Sequence, residues 1–559
     1  MTIDNDYIAD QFSLLAKIMD IHGENAFKTR SYSNAAFTIE KLPEQLTAIP
    51  PEKVTSIKGI GDAIGKKIHD IIASGELRLL QEYIAKTPPG IIEMLKIKGL
   101  GPKKIATVWK EMEVESLGEL LYACQENRLL LYKGFGEKTQ KNVMEAIEFY
   151  FSNQGSHLFA SIEAYALGIH QTLQKHFRNA QFSFTGAFRR QLEIIDQLEW
   201  VTTADPAALS NLFAAAGFTS ISSHSYKGPE GIPLIFTHTS PDTFASTLFT
   251  TSCSGEFLDA WQSTTNWDPS PATPFPSEET IFTQHNIHFI PPYLREQRVI
   301  LEQAAQSPLP QYIRPEDIRA IIHSHSKWSD GSGTLEEMAR ACIAKGYEYL
   351  VISDHSKSAF YANGLNEDRI VLQHREIDQL NEQLAPFVIF KSIECDILND
   401  GALDYTDNIL ATFDLVITSV HSNLKMSEDK AMTRLLRAIE NPYTTILGHM
   451  TGRLLLSRPG YPVDHKKIID ACIANRVVIE LNAHPRRLDM DWRWIGYALD
   501  KGAMISIDPD AHSIEGYNDV KYGALAAQKG GLTPDRNLSS FTLPQFREFL
   551  AARRAARKI

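Results

Sequence analysis

The chain has 559 residues, a hydrophobic content of 43% and a formal net charge of −12. A chain of this length should form three or more domains with ordinary packed cores. The negative net charge argues against binding of nucleic acid through bulk positive charge, and no apolar run is long enough to predict a membrane-spanning helix.

The five cysteines are scattered along the chain without a Cys-x-x-Cys pair. Such an arrangement favours neither a disulfide framework nor a cysteine zinc site. The first residues, MTIDNDYIADQF, lack the basic and apolar stretches of a secretory signal peptide. We expect a cytoplasmic protein with no membrane partner, and we expect it to be a monomer.

One pattern recurs three times in the N-terminal region, at a spacing of about 40 residues. The copies are IKGIGDAIGKKI (57–68), IKGLGPKKIATVW (97–109) and YKGFGEKTQKNV (132–143). Glycine permits the positive φ of a tight turn, and the first N–H groups of the following helix can bind a phosphate. One copy would indicate an ordinary turn between helices, whereas three copies with the same Lys-Gly-x-Gly spacing favour phosphate binding.

These repeats resemble helix-hairpin-helix motifs, which grip DNA phosphates without reading the base sequence. The resemblance implies DNA contacts at the paired glycines and at two of the lysines that follow them, namely Gly59, Gly61, Lys66, Gly99, Gly101, Lys103, Gly134 and Gly136. Because the chain lacks bulk positive charge, such binding would depend on placed backbone groups rather than on net charge.

The segment NAFKTRSYSNAAFTIEKLP (25–43) and the first repeat resemble the small N-terminal domain of family X DNA polymerases. In that family the domain holds the 5′-phosphate side of a DNA gap, and in some members a lysine forms a Schiff base with an abasic sugar. Lys67 matches this lyase lysine, while Lys28 and Tyr32 match 5′-phosphate contacts. The alternative for Lys67 is a solvated lysine on an exposed helix.

The middle of the chain resembles the palm and thumb of the same family through GAFRRQLEIIDQLEWV (186–201) and FIPPYLRE (289–296). A working palm needs carboxylates that hold two divalent ions in line with the incoming nucleotide. The positions that match the family's three aspartates are Gln197, Glu199 and Ile235. We therefore expect a palm without its catalytic carboxylates.

A register error of one residue would leave Asp196 or Asp242 as a remaining carboxylate. The nucleotide-binding turns also depart from the family pattern, because Gly-Ser is replaced by Gly186-Ala187 and Phe-Thr-Gly-Ser by residues 251–254, TSCS. The run DPSPATPFP (268–276) is typical of a flexible surface loop.

Seven short apolar segments in the C-terminal region are predicted strands, and a plausible helix follows each of them but one. The strands cover residues 318–322, 349–353, 388–393, 415–420, 444–448, 477–481 and 504–507. Helices are predicted at 335–345, 430–440, 465–475 and 493–501. This alternation predicts a β/α barrel of about seven units with its active site at the C-terminal ends of the strands.

Six of the seven predicted strands lead into histidines or carboxylates. These residues are His323, His325, Asp330, His355, Glu394, His421, His449, Asp510 and His512. A single histidine at a strand end is usually a core or surface residue, but nine ligand-type residues at one edge predict a metal site. The sixth strand ends in Asn482 and His484, whose role as ligands is left open.

The same residues lie in HSHSKWSDG (323–331), SDHS (353–356), IECDI (393–397), TSVHS (418–422), LGHMTGR (447–453), ELNAHPRRLD (480–489) and DAHS (510–513). These motifs resemble the polymerase and histidinol phosphatase (PHP) domain. The resemblance implies a distorted seven-stranded barrel whose trinuclear metal centre hydrolyses phosphoesters, and all nine ligand positions match. One departure is Ile321, which stands where relatives have an acidic residue two positions before the first ligand.

The expected cofactors are two or three divalent ions, Mn²⁺ or Zn²⁺, with Fe²⁺ as a further option. Arg453 and Lys357 lie on strand-end loops and are candidates for holding phosphate, as are Arg486 and Arg487. The alternative for each is a solvated loop cation.

Together these patterns predict a multidomain α plus α/β protein. We expect an all-α helix-hairpin-helix domain at 1–150, a nucleotidyltransferase-like α+β palm and thumb at 151–305, and a distorted (β/α)7 PHP barrel at 315–559. The expected activity is metal-dependent 3′-5′ exonuclease action or 3′-end processing on gapped, nicked or 3′-ended DNA, independent of sequence. The alternatives are an active gap-filling polymerase and a small-molecule phosphatase.

Overall fold

The computed structural model describes residues 3–42, 44–152, 155–268 and 273–559. The chain divides into two compact units, Met1–Glu148 and Phe149–Ile559. Within the described ranges, no helix has both the length and the apolar character needed to cross a bilayer.

The first unit is built from helices. Its helices are α1 (Asn5–His22), α2 (Ala26–Glu40), α3 (Pro51–Val54), α4 (Asp62–Ser74), α5 (Arg78–Ile84), α6 (Pro89–Glu93), α7 (Pro102–Lys110), α8 (Leu117–Gln125) and α9 (Glu137–Ser152), the last of which runs into the second unit. Local signals explain several of their ends: Asp4 caps α1, Gly23 ends it in the left-handed region, and Ser116 forms a capping box with α8.

The middle region contains a mixed sheet in the order β2-β4-β7-β6-β5. Its elements are β1 (His157–Leu158), α10 (Phe159–His176), β2 (Phe182–Thr185), α11 (Gly186–Arg189), β3 (Ile194–Ile195), β4 (Leu198–Thr202), α12 (Pro206–Ala215), β5 (Thr219–Ser222), β6 (Ser225–Lys227) and β7 (Pro233–His238). Strand β4 pairs antiparallel with β2 and parallel with β7. Trp200 on β4 stacks on Phe236 of β7 with ring centroids 5.2 Å apart, which anchors the core of this sheet.

A helical segment follows, with α13 (Phe244–Thr251), α14 (Gly255–Thr265), α15 (Glu278–Gln284) and α16 (Arg298–Gln306). Residues 269–272 of the Pro-rich run expected to form a loop lie outside the described residues. At the end of that run, Phe275 is buried in the aromatic core around Trp261 and Phe282. Residues 273–276 lie in no helix or strand, and Phe275 anchors this segment to the core.

The C-terminal region alternates strands with helices. Its elements are β8 (Ala320–Ile321), α17 (Leu335–Lys345), β9 (Tyr349–Ile352), α18 (Glu367–Gln383), β10 (Val388–Lys391), β11 (Glu394–Asp396), α19 (Asp407–Leu410), β12 (Val416–Ser419), α20 (Glu428–Glu440), β13 (Thr444–Leu447), α21 (His465–Ala474), β14 (Val478–Asn482), α22 (Ile495–Asp500), β15 (Ile505–Asp508), α23 (Val520–Lys529) and α24 (Leu543–Arg557). The α plus α/β class predicted from the sequence is confirmed.

All strand pairings in this region are parallel, and they form two sheets, β10-β9-β8 and β11-β12-β13-β14-β15. Single parallel bridges link Ser324 to Ala511 and His355 to Glu394 across the sheet edges. The predicted strand at 388–393 is interrupted, since β10 ends at Lys391 and β11 begins at Glu394. A continuous barrel stays a prediction, because the strands fall into two sheets joined by isolated bridges.

The middle and C-terminal regions form one unit and share a network of ion pairs. Lys529 is buried, and its Nζ lies 3.1 Å from Glu296 Oε1 and donates to the Arg190 carbonyl over 2.8 Å. Burial lowers the pKa of Lys529 to about 8. Lys521 Nζ lies 2.6 Å from both carboxylate oxygens of Glu163. These contacts connect both ends of α23 to the middle region, at α10 and at the segments that follow α11 and precede α16.

Candidate metal centre and nucleic-acid interface

The nine predicted ligand residues converge at the C-terminal ends of the parallel strands. Eight of them are buried, and the side chain of His421 is only slightly exposed. Convergence follows from the topology, because parallel strands bring the residues that follow them to the same edge of a sheet. The structure thus brings the nine residues together, and their role as metal ligands stays a prediction.

Glu394 lies at the centre of the cluster. Its Oε1 is 3.0 Å from His449 Nε2, 3.1 Å from His421 Nε2 and 3.3 Å from His323 Nε2. Its Oε2 is 3.0 Å from His355 Nδ1. One carboxylate thereby faces four imidazole rings.

Asp510 and Asp330 complete the cluster on the side of β8 and β15. Asp510 Oδ1 is 3.0 Å from His325 Nε2 and 3.4 Å from His323 Nε2. Asp330 approaches His355 Nε2 at 3.6 Å and His512 Nε2 at 3.5 Å.

Three overlapping sets of these residues bring their ligand atoms within 4.8 Å of one another. The sets are His325, Asp330, His355 and His512; then His323, His325, Glu394 and Asp510; and finally His355, Glu394 and His421. Two atoms that bind one ion at about 2.0 to 2.2 Å lie about 3 to 3.5 Å apart in tetrahedral or octahedral geometry. The nitrogen-to-oxygen distances in the cluster match that spacing, so the residues fit divalent metal ions.

Several buried polar atoms of the cluster have no hydrogen-bond partner of acceptable geometry, among them His323 Nε2, His355 Nδ1 and Glu394 Oε2. Such atoms are costly to bury unless another group satisfies them. Against the effect of burial, His421, His323 and His355 hold the pKa of Glu394 well below its usual value. A cation would satisfy both the lone pairs and this negative charge.

The backbone at two ligand positions is strained. His323 and Asp510 have φ angles of +54° and +52°, in the left-handed region that residues other than glycine rarely adopt. Strain of this kind costs on the order of 1 to 3 kcal/mol and persists where the surroundings hold a functional side chain in place. A Cβ at Gly331 would lie 2.0 Å from the His325 carbonyl oxygen, so only glycine lets the Asp330 loop approach so closely.

Two further carboxylates orient ligand rings, and the sequence prediction missed both. Glu480 Oε2 accepts from His323 Nδ1 at 2.5 Å, and Glu480 Oε1 accepts from the His449 backbone N–H at 3.0 Å. Asp396 accepts a hydrogen bond from His421 Nδ1. A signal was present, because Asp396 follows Glu394 by two residues and so points to the same face of β11. Glu480 binds the His323 ring, although the acidic residue that the PHP resemblance leads one to expect two positions before His323 is Ile321 in this chain.

The expected phosphate contacts by Arg453 and Lys357 stay predictions, and both side chains have protein partners in the structure. The guanidinium of Arg453 binds Asp491 at 2.6 Å and donates to the Arg487 carbonyl at 2.9 Å, so it braces the loop. Lys357 pairs with Glu367 at 2.6 Å. By contrast, the buried Arg487 places its Nε 3.8 Å from Asp510 Oδ2, beside the cluster.

His484, whose role the sequence left open, contributes to the shape of this loop. Its Nδ1 accepts the backbone N–H of Arg486 at 3.2 Å. Burial, opposed by Asp510 and reinforced by Arg487 and Arg486, lowers the pKa of His484 to about 3. The ring is therefore neutral at pH 7, which suits its role as a hydrogen-bond acceptor.

In the middle sheet, Glu199 and Ile235 are direct partners in the pairing of β4 with β7. The Glu199 carboxylate accepts from the Gln197 amide and from the Ala187 N–H, while burial raises its pKa. It lies against Gly186, where a Cβ would fall 1.7 Å from its Oε2. The positions that match the family's three aspartates therefore hold the amide of Gln197, the carboxyl group of Glu199 and the aliphatic side chain of Ile235. The Glu199 side chain fills the turn beside Gly186.

The two arginines of the palm motif are bound to other parts of the region. Arg189 contacts Glu278 at 3.0 Å through its Nη1, and Arg190 Nε is 2.9 Å from Glu296 Oε1. In the part of the chain that the structure describes, the candidate metal-ligand groups all lie in the C-terminal region.

The three glycine repeats of the first unit adopt the same turn. Gly59, Gly99 and Gly134 have φ angles of +99°, +95° and +96°. In each turn the next residue donates its N–H to the residue three positions before it, as Ile60 does to Ile57 at 2.9 Å. The helices α4, α7 and α9 then begin one residue after Gly61, Gly101 and Gly136.

These turns expose backbone groups to solvent. The glycines of all three repeats are exposed, whereas the apolar residue between each pair is buried. No side chain caps α4 at Gly61 or α7 at Gly101. Their first N–H groups are therefore available to an anion, as the sequence predicted. Lys66 and Lys103 are also exposed.

The candidate lyase residue Lys67 lies close to one of its expected companions. Its Nζ is 5.9 Å from the ring centroid of Tyr32 and donates to the Ala63 carbonyl at 3.4 Å. Tyr32 itself is buried and stacks on Phe12 at 6.0 Å, so its ring supports the helix pair, while Lys28 is exposed. A contact between Tyr32 and phosphate stays a prediction.

Two family models match the first unit. One, described as a helix-hairpin-helix domain, covers residues 3–77, and the other, described as a SAM-like helix-hairpin-helix tandem, covers residues 91–148. The helix-hairpin-helix interpretation of the repeats is confirmed.

Among curated proteins, a relative matches this chain along nearly its whole length. The DNA polymerase/3′-5′ exonuclease PolX of Bacillus subtilis is 32% identical over 567 aligned positions, covering 96% of this chain and 97% of the relative. Probable phosphatases match a smaller part: one from Caldanaerobacter subterraneus is 27% identical over 35% of this chain and 77% of its own length. Another, from Thermoanaerobacter sp., is 26% identical over 39% of this chain and 89% of its own length.

Proposed function

Because the chain belongs to the family of bacterial PolX DNA polymerase/3′-5′ exonucleases, we propose that it binds DNA and hydrolyses phosphodiester bonds from the 3′ end. The observation that carries this proposal is the buried cluster of nine histidine and carboxylate side chains in a chain that also bears helix-hairpin-helix domains. The first feature supplies hydrolytic chemistry, and the second supplies a grip on a phosphate backbone.

The cluster would hold two or three divalent ions, Mn²⁺ or Zn²⁺, or else Fe²⁺. The support for more than one ion is the sharing of ligands, since His325, His355 and Glu394 each belong to two of the three overlapping sets. Bound ions supply Lewis-acid chemistry that activates water and stabilises the charge developing on the phosphate.

The chain's own residues would orient and hold the phosphate group. Glu480 and Asp396 fix the ring positions of His323 and His421 by accepting their Nδ1 protons, which leaves each Nε2 facing Glu394. Arg487, beside Asp510, is the cation best placed to bind a phosphate oxygen. Among the four loop cations that the sequence suggested for holding phosphate, we therefore assign this role to Arg487.

The first unit would bind gapped, nicked or 3′-ended DNA without reading its sequence. The support is the three equivalent turns, with exposed glycines and uncapped helix starts. Backbone N–H groups contact phosphates and carry no base information. A monomeric, cytoplasmic protein fits this role, and both properties remain predictions. Lyase chemistry at Lys67 likewise remains a prediction.

A gapped duplex with a fluorophore at the 5′ end of the upstream strand tests the proposal. With Mn²⁺, we expect a ladder of products shortened from the 3′ end, and we expect His355→Ala to abolish it. A strand whose 3′-terminal linkages are phosphorothioates is the matched substrate control and should resist digestion. Release of labelled mononucleotide from the 5′ end would contradict the polarity.

The phosphatase alternative rests on the probable phosphatases that match part of the chain. A soluble phosphomonoester, p-nitrophenyl phosphate, separates this alternative from the proposed function. We expect the chain to hydrolyse DNA and a chromogenic phosphodiester with a higher kcat/KM than this monoester. A clear preference for the monoester would favour the phosphatase.

A further inference from the structure

Phe360 is a strongly exposed aromatic residue close to the metal cluster, and it has no role in the proposed hydrolysis as described so far. Its side chain is 81% exposed. A single exposed phenylalanine is ordinary on a protein surface. The position of Phe360 and the rigidity of the loop around it are what distinguish it.

The loop that presents Phe360 starts at a ligand and returns to it. His355 begins the loop, and the Leu365 N–H donates to the His355 carbonyl at 2.8 Å, which closes it. Five residues span at most about 17 Å of extended chain. Phe360 therefore lies within the reach of a few nucleotides from the cluster.

Contacts on both sides hold the loop in one shape. Ala359 and Ala362, which flank the exposed ring, are fully buried. The Ser358 side chain and backbone N–H both bind Asp404, at 2.5 and 2.6 Å. The amide of Asn363 lies 3.4 Å from the Ser329 carbonyl, and Arg369 donates to the Trp328 carbonyl. The loop is thus fastened to the loop that carries Asp330.

The chemistry of the loop favours an uncharged contact. Lys357, the cation of this loop, is paired with Glu367 at 2.6 Å. An exposed, preorganised aromatic ring offers a flat apolar face, and every nucleobase has a matching π face. A DNA strand whose 3′-terminal phosphodiester enters the cluster would pass the loop that carries Phe360.

We propose that Phe360 is a stacking platform for a nucleobase of the DNA strand whose 3′ end enters the metal cluster. This inference rests on the proposed function, because it requires that DNA is the substrate. The ring would position the strand by stacking on one base near the 3′ end, without base specificity and without contact to phosphate.

The test compares Phe360→Ala and Phe360→Trp with the wild-type chain on single-stranded oligonucleotides. Stacking on one base contributes about 5- to 150-fold in binding. We expect kcat/KM to fall by that amount in Phe360→Ala, mainly through KM, and to be largely retained in Phe360→Trp. Leu372→Ala, which truncates a 51% exposed side chain on α18, is the matched control and should match wild type.

Oligonucleotides with a single abasic site, scanned over the last positions before the 3′ end, identify the stacked base. At one position, loss of the base should reduce the wild-type rate as much as Phe360→Ala does, and the two changes should not add. The effect should be nearly independent of salt, unlike phosphate contacts. A small chromogenic phosphodiester should be hydrolysed equally by wild type and Phe360→Ala.

Equal digestion of all oligonucleotides by wild type and Phe360→Ala would overturn this inference and leave the proposed function intact. Additive effects at every abasic position, or a loss of activity on the chromogenic diester, would also overturn it, since the loop would then act on the cluster itself. A wild-type chain that hydrolyses the chromogenic diester but shortens neither these oligonucleotides nor the gapped duplex would overturn both the proposed function and this inference.

Discussion

At the scale of single residues, the candidate metal cluster depends on carboxylates that lie outside the nine ligand positions and orient the histidine rings. Glu480 binds the ring of His323 and the backbone of His449 at once. Its position on β14, two residues from Asn482, gives it the same face as the ends of the neighbouring strands. A change at Glu480 should therefore disturb two ligands while leaving the strand in place.

We predict that Glu480→Gln lowers metal affinity by about 10- to 100-fold, the usual effect of losing a carboxylate that orients a histidine ligand. The measurement is competition with a metal chelator, followed by elemental analysis of the protein. Glu348→Gln removes a surface carboxylate paired with Arg319 and is the matched control. Unchanged affinity in Glu480→Gln would show that His323 does not need this partner.

His374 on α18 should make stability sensitive to acid. Burial, followed by the charge of Lys391, lowers the pKa of His374 to about 4 in the folded chain, below the ordinary value of 6.5. Between these values the unfolded chain binds the proton more readily, so stability is complete above about pH 6.5 and falls as the pH drops toward 4.

We expect His374→Gln to reduce the difference between the urea unfolding midpoints at pH 4.5 and pH 7.5. EDTA is included so that pH-dependent loss of bound metal does not contribute, and the titration of the ligand residues is common to both variants and wild type. His176→Gln, at an exposed histidine, should leave the difference as in wild type. An identical difference in His374→Gln and wild type would contradict the assignment of this acid sensitivity to His374.

At the scale of elements, the repeated turns of the first unit give a way to separate stability from DNA binding. Gly61 and Gly101 precede α4 and α7 with extended backbone, φ −86° and −88°, and an added Cβ would meet open space. Serine is a better N-cap than glycine because its hydroxyl accepts a helix N–H. That N–H is one of the donors expected to bind phosphate.

We predict that Gly61→Ser and Gly101→Ser preserve or raise thermal stability while weakening DNA binding. The loss should be about tenfold or more for each, because a hydrogen bond to a charged group contributes about 1.5 kcal/mol. Fluorescence anisotropy with gapped duplex, together with a melting curve, measures both quantities. Gly255→Ser, in the first turn of α14, is the control and should bind DNA normally. Unweakened binding in both hairpin variants would make the turns purely structural.

The elements that the sequence predicted best were those determined by local patterns. The three turns were visible because glycine spacing fixes their geometry, and the candidate ligand set was visible because residues that follow parallel strands meet at one edge. The ion pair of Arg453 was not predicted, because its partner Asp491 is distant in sequence and belongs to another loop. The break between β10 and β11 was missed, although the polar residues Lys391 and Ser392 lie at this point of the segment 388–393.

At the scale of the whole molecule, ion pairs bind the middle region to the C-terminal region. Lys529 and Lys521 connect α23 to Glu296 and Glu163, and Arg190 is engaged with Glu296. Glu199 occupies the turn beside Gly186. The groups that would contact a nucleotide are therefore engaged with other residues of the same unit.

We predict that the chain does not extend a primer on one-nucleotide-gapped DNA with Mg²⁺ or Mn²⁺. Loss of one electrostatic element in an active site typically costs on the order of 10²- to 10³-fold, and Gln197 and Ile235 replace two carboxylates here. His355→Ala is used in the assay so that digestion does not mask synthesis. Template-directed incorporation by that variant would support the gap-filling polymerase alternative.

The central claim is that the buried cluster hydrolyses DNA with the help of divalent metal ions. The most direct measurement follows 3′-end shortening of gapped DNA by the full chain after metal removal, and again after titration with Mn²⁺ or Zn²⁺, with bound metal determined in the same samples. We expect no activity without metal, recovery that parallels occupancy up to two or three ions per chain, and neither metal uptake nor activity in Asp510→Asn. Full activity in the metal-free chain, or in Asp510→Asn, would contradict it.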